Sequence, residues 1–243
     1  MRKTFAIISR EIGAFFSSPV AYVFLIIFLL LNGFLTFMVS GFFKYGELTA
    51  DGFFFWHPWL YMAFAPAIGM RLWAEERHQG TLELLLTLPI SVTQAVLGKF
   101  LAGWLFLGIG LLLTCPFPIT LFYLGSPDVG PILTGYIGSF LTAGVCLAVS
   151  CAASAATRSQ TVSFITSLSA CLLLVIAGYP PVIELLLKWS AGSGCVDLVA
   201  SFSITHHFDE LRKGIVDVRD ILYFPACILF ALCATGLIIK ERR

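Results

Sequence analysis

Apolar residues run along the chain in long blocks that charged residues interrupt. Stretches free of Asp, Glu, Lys and Arg cover 12–43, 52–70, 100–127, 129–157, 159–183 and 221–239. Each reaches the roughly 18 residues that carry a helix across a bilayer. The pattern predicts six transmembrane helices, at about 20–42, 53–71, 94–122, 131–156, 161–180 and within 221–239. Six spans of about 20 residues take half of the chain, which leaves no room for a second domain of ordinary size. The expected fold is therefore an all-α integral membrane protein, a single domain over 1–243.

Local signals refine the blocks. Residues 1–18 form an expected interfacial amphipathic helix, with Phe5, Ile8, Ile12, Phe15 and Phe16 on one face, Lys3, Arg10 and Ala14 opposite, and Ile7 on the polar side. Such a helix lies along a membrane surface, and Pro19 ends it and turns the chain into the first span. Aromatic residues from Phe53 to Tyr61 mark the second span's outer end. Two prolines in Cys115-Pro116-Phe117-Pro118 should break or kink the third. The fourth is rich in Gly, Ala, Ser and Cys, which suits close helix packing. Only Thr157-Arg158-Ser159-Gln160 separates it from the fifth, so these two form a tight hairpin. Two segments remain outside the spans, 71–93 and 181–220. In the second, Val182 to Trp189 and Phe202 to Lys213 read as short external helices before the sixth span, the latter stopping at Gly214.

Composition agrees with the blocks: 58% of residues are hydrophobic and 12% are charged, about half the charged share of a soluble domain. The net charge of +1 hides an asymmetry. With both termini on one side, ten Lys and Arg fall on that side and five on the other, so the positive-inside rule makes both termini cytoplasmic. A multi-pass protein of a bacterial cell (inner) membrane is expected. Six of the seven cysteines lie in apolar runs and only Cys195 is external, so no disulfide framework follows. The first apolar run begins well after Arg2 and Lys3, is too long for a signal peptide and lacks a small-residue cleavage site, so it reads as a retained span.

The inner segment carries the candidate chemistry. It reads Arg71-Leu-Trp-Ala-Glu-Glu-Arg-His-Gln-Gly-Thr-Leu-Glu-Leu-Leu-Leu-Thr-Leu-Pro-Ile-Ser. Glu75 and Glu76 extend the second span into the cytosol, and Gly80 breaks the helix. Thr81 caps a second short helix with Glu83 in its first turn, and Pro89 stops it. Ser91-Val-Thr-Gln94 has the spacing of a capping box that starts the third span. The leucines from Leu82 to Leu88 are too many for one buried stripe, so this coupling helix should meet the bundle or another protein. Glu75, Glu76, Arg77, Gly80, Thr81 and Glu83 are the candidate docking residues for a cytosolic partner.

That segment, followed by Leu97-Gly98-Lys99-Phe100, resembles the signature of permease subunits of ABC-2 type ABC transporters. Phe16-Ser17-Ser18-Pro19, Tyr123-Leu124-Gly125-Ser126-Pro127, and His207-Phe208-Asp209 with Arg219 to Phe224 are similar to the gliding-motility (Gld) type. The resemblance implies a six-helix half-transporter, probed for docking at Glu75 to Glu83 by a nucleotide-binding subunit. No Gly-x-x-x-x-Gly-Lys-Ser/Thr occurs; Gly98-Lys99 lacks the upstream glycine and the following hydroxyl. ATP is then expected on a separate ABC ATPase subunit, with no catalytic, cofactor or metal residue on this chain. The resemblance further implies a second permease copy or a relative, an exporter, and room for an extracytoplasmic auxiliary protein on 181–220; no nucleic-acid partner is expected.

Three other readings compete with this one. Glu75-Glu76 and the Phe-x-x-x-His matches at Phe53 to His57 and Phe202 to His206 are similar to prenyl-protein-type intramembrane proteases, but Gly80 stands where their motif requires Arg, and acids and histidines fall on opposite faces. His206-His207 with Asp209 could form a metal site, although adjacent helical residues point about 100° apart. An autonomous secondary transporter or channel usually carries ionisable residues within its spans, whereas the central portions here carry none; Asn32, Thr36 and Thr142 suit interhelical hydrogen bonds.

Overall fold

A computed structural model describes residues 2–42, 49–78, 80, 91–188, 199 and 201–241. Among them every regular element is helical: α1 (Arg2–Ser17), α2 (Pro19–Phe34) with a π-helical continuation (Leu35–Val39), α3 (Asp51–Phe55), α4 (His57–His78), α5 (Val92–Leu112), α6 (Pro116–Leu124), α7 (Val129–Ala156), α8 (Gln160–Ile176), α9 (Pro180–Lys188), α10 (Ile204–Arg212) and α11 (Val218–Glu241). The caps are those the sequence writes. Ser18 accepts from the Val20 amide ahead of Pro19, Ser91 and Gln94 complete their capping box, and the Asp128 carboxylate accepts from the Gly130 amide. Each satisfies an amide that a helix start leaves without an intrahelical acceptor.

Among the described residues, four helices are long and apolar enough to cross a membrane: Pro19–Val39, Val92–Leu124, Val129–Ala156 and Val218–Glu241. The six-span expectation therefore stands at four by this measure. α4 is 22 residues long, but its last two turns carry Arg71, Glu75, Glu76 and Arg77, which lower its apolar character, and α8 has only 17 residues. The third block breaks at the two prolines as expected, with α6 starting at Pro116.

α7 is the centre of the bundle and touches α4, α5, α8, α10 and α11. Its small residues explain this position. A Cβ on Gly135 would stand 2.5 Å from the Phe54 ring, and one on Gly144 would stand 2.9 Å from both Trp104 and Ile228. Large side chains of neighbouring helices thus rest directly on the α7 backbone, the close approach that small residues permit. Trp104 also donates from Nε1 to the Phe140 carbonyl at 2.8 Å and stacks on the Phe140 ring.

The helices alternate in direction, so α1, the ends of α4, α7 and α11, and the starts of α5 and α8 share one end, hereafter the near end. The far end is closed in part by α10, whose Ile204, Phe208 and Leu211 are buried, with Phe208 and Leu211 lying over Gly138 of α7. Arg212 fastens it to α3, with Nε 3.2 Å from Asp51 Oδ1, and Gly214 follows at φ 84°. Burial raises the Asp209 carboxyl above its ordinary value, and the Arg212 guanidinium at 3.2 Å acts against that shift.

α1 packs along α5 with most of the expected face, Ile8, Ile12, Phe15 and Phe16 being half-buried, but the packed side takes in Ile7 and leaves out Phe5. Ile7 lies over Gly98, where a Cβ would stand 2.7 Å from Ile7 Cγ2, and Phe15 stacks on Phe106 at 5.2 Å. Glu11 sits between them, completing an i, i+4, i+8 stripe. Ile7 therefore belongs to the buried side, and Phe5 is exposed.

Candidate coupling site

The near end gathers the charges that the sequence distributes over three segments. Lys99, in the second turn of α5, is only 3% exposed. Its Nζ lies 2.7 Å from Glu76 Oε1 of α4 and 3.7 Å from Glu11 Oε1 of α1. It also donates to the Leu72 carbonyl at 2.9 Å and lies over the Trp73 ring. One buried ammonium thus joins three helices, and burial of such a charge is tolerated because carboxylates and a carbonyl replace its water. Arg10 adds a 2.7 Å contact to Glu11 from the exposed side.

Just inside this junction α4 is clipped to α7. The Ser154 hydroxyl accepts from the Trp73 and Ala74 amides at 3.2 and 3.0 Å and donates to the Met70 carbonyl. A displacement of the last two turns of α4 therefore reaches α7 within one helical turn of the charged residues.

Of the sequence candidates, Glu75, Glu76 and Arg77 lie together in the last turn of α4. Gly80 follows with φ 71°, a left-handed conformation that a glycine adopts without steric cost. Thr81 and Glu83, and with them the expected coupling helix, lie outside the described residues. Lys99 and Glu11 were not among the candidates. The one available signal was a lysine standing alone at the edge of a long apolar run.

This arrangement is a mechanical junction at the end of a membrane bundle. The family model described as ABC-2 family transporter protein matches residues 48–239, most of the chain and all of α3 through most of α11. The chain belongs to the ABC-2 family. No curated protein matches it. As an ABC-2 permease it is a multi-pass membrane subunit of an ABC-type transporter, a transport component in a family whose members work with an ABC ATPase subunit. The finer Gld-type likeness is not part of that match.

The rival protease geometry does not form in this permease. His57 and Glu75 occupy opposite ends of α4, about 27 Å apart at 1.5 Å per residue. His57 is fully buried at the far end, where Asn32 Nδ2 donates to its Nε2 at 3.1 Å and its Nδ1 donates to Ser139 Oγ at 2.6 Å. Thr36 donates to the Asn32 carbonyl, so these polar residues satisfy one another across α2, α4 and α7. His207 stands edge to face with His206, ring centroids 5.5 Å apart, but both of its ring nitrogens are engaged elsewhere. Its Nδ1 lies 2.6 Å from Asp220 Oδ1, its Nε2 lies 3.0 Å from the Ser201 carbonyl, and Tyr223 stacks on its ring. Among the described residues no group of three His, Cys, Asp or Glu is placed to hold a metal ion.

Proposed function

We propose that this permease is half of a dimeric ABC exporter of the bacterial inner membrane. Its six spans are α2, α3 with α4, α5 with α6, α7, α8 and α11, and both termini lie in the cytoplasm. ATP is bound and hydrolysed on a separate ATPase subunit that docks on Glu75, Glu76, Arg77, Gly80, Thr81 and Glu83. The Gld-type subclass belongs to the same proposal and rests on the sequence likeness alone.

The observation that carries the reading is the Lys99 junction. A docking surface transmits force only if it is tied to the bundle, and Glu76, one of the docking residues, holds a buried cation shared by α1 and α5. ATP-driven closure of the partner would move the end of α4, and the Ser154 clip would carry that motion into α7 as a rigid-body change. The central portions of the spans carry no charged residue, which suits an apolar, amphipathic or large cargo that passes between the two permease copies.

The test is a pull-down of the detergent-solubilised chain from its native membrane. An ATPase subunit should co-purify with it. Glu75→Lys should weaken that association more at low than at high salt, because exposed interface charges are screened. Glu75 is the better probe, since Glu76→Lys would also set a second lysine against Lys99. A chain that comes down alone under mild conditions would sink the coupled reading in favour of an autonomous transporter.

A further inference from the structure

A cleft of about 480 Å³ opens beside the junction, between α1, α2, α4 and α5. Its two halves differ chemically. One is apolar, formed by Phe15, Val20, Phe24, Ile68 and Phe106, and the other carries Glu11, Arg71, Glu75, Glu76 and Lys99. Within the polar half Lys99 is matched by Glu76 and Glu11. Arg71 differs: half-buried, it forms no hydrogen bond or ion pair among the described residues. A guanidinium presents five donors and is ordinarily met by carboxylate or phosphate.

The cleft continues onto uncovered hydrocarbon. Val20, Val23, Ile27, Leu30 and Phe34 follow one face of α2 and are all exposed. From Val20 to Phe34 this face rises roughly 21 Å, more than the roughly 15 Å that one leaflet of a 30 Å hydrocarbon core supplies. A polar notch at the level of an interfacial helix, leading into an apolar track one leaflet long, has the shape of a phospholipid.

We infer that this cleft binds the headgroup of a zwitterionic phospholipid carrying both a phosphate and a primary ammonium, with one acyl chain along α2. The phosphate meets Arg71. The ammonium donates toward the carboxylates of Glu11, Glu75 and Glu76, which can each accept more than one hydrogen bond. A headgroup with negative charge alone would face three carboxylates, and one without an anion would leave Arg71 unmatched. The bound lipid touches α1 and α4 together, so it braces the coupling site from the membrane side. This inference rests on the proposed placement of the near end at the cytoplasmic leaflet.

The experiment delipidates the full-length detergent-purified chain and adds back phosphatidylethanolamine, phosphatidylglycerol or phosphatidylcholine, counting retained lipid by native mass spectrometry. One phosphatidylethanolamine per chain is expected, with retention about tenfold weaker in Arg71→Gln, the loss of one charge-assisted hydrogen-bonding group. Ala14→Trp, which fills the cleft from the exposed side of α1 without removing a charge, should also release it. Arg158→Gln, outside the cleft, should retain it. Equal retention of the three lipids, retention unaffected by both cleft variants, or displacement by inorganic phosphate would overturn the site. So would disulfide-linked dimers of Val20→Cys in phosphatidylethanolamine vesicles, because a second copy would then cover the cleft. ATPase co-purification is scored under mild conditions before delipidation, so lipid retention by a chain that came down without an ATPase refutes the coupled-transporter reading and leaves the lipid site standing.

Discussion

Gly69 of α4 and Ser150 of α7 meet so closely that a Cβ on Gly69 would fall inside contact distance of the Ser150 Cβ. Ser150 is fully buried, its hydroxyl donating to the Cys146 carbonyl at 2.7 Å. It cannot swing away, so the two helices are fixed face to face one turn before the Ser154 clip.

Gly69→Ala should therefore force α4 and α7 apart and cost about 1–3 kcal/mol, the usual penalty of overpacking a dense interface. Gly33→Ala in α2, where a Cβ meets nothing within 4 Å, is the matched control and should be neutral or slightly stabilising through helix propensity. Unfolding midpoints of the two variants in detergent compare them directly. Equal midpoints would mean the α4 to α7 contact relaxes freely.

Lys99→Met removes a buried charge from two carboxylates and should destabilise the chain by about 1–3 kcal/mol, less than for a fully buried pair because Glu76 and Glu11 keep 18% and 15% exposure. Adding Glu76→Gln should restore part of the loss, since it removes the acid left without its ammonium. A double-mutant cycle on the unfolding free energy measures the coupling. Purely additive losses would separate Lys99 from Glu76.

At Gly80 the backbone and not the available space is restrictive. A Cβ there meets nothing within 4 Å, yet φ is +71°. Gly80→Val should strain the turn by about 1–2 kcal/mol and reduce permease-stimulated ATPase activity. Gly80→Asn, which visits this conformation readily, should retain most of it. Equal loss in both variants would shift the explanation to side-chain bulk at the partner surface.

At the far end, His207→Phe should keep the stacking on Tyr223 and lose the two ring-nitrogen contacts, to Asp220 and to the Ser201 carbonyl. Hydrogen exchange across Ile204–Arg212 should then speed up while exchange in α7 stays slow. Unchanged protection of α10 would assign its docking to Phe208, Leu211 and Arg212 alone.

The sequence by itself determined where the helices lie and how they begin and stop. Those features depend on neighbours a few residues apart: the box at Ser91 and Gln94, proline after Ser18, the paired prolines at Pro116 and Pro118, and the glycine stops at Gly80 and Gly214. It also determined that the small-residue helix is central, because lack of side-chain volume is a property of composition. The tertiary structure alone decided which charges meet. Glu11, Glu76 and Lys99 are separated by 65 and 23 positions, and their pairing follows from how α1, α4 and α5 cross. It alone turned Ile7 inward, because Gly98 on α5 leaves room for that side chain and Glu11, on the same stripe, reaches Lys99. It alone buried His57, whose ring is accommodated only because Asn32 and Ser139 arrive from two other helices. Local signals depend on a few consecutive residues, whereas the Lys99 junction depends on contacts that exist only after the helices have packed.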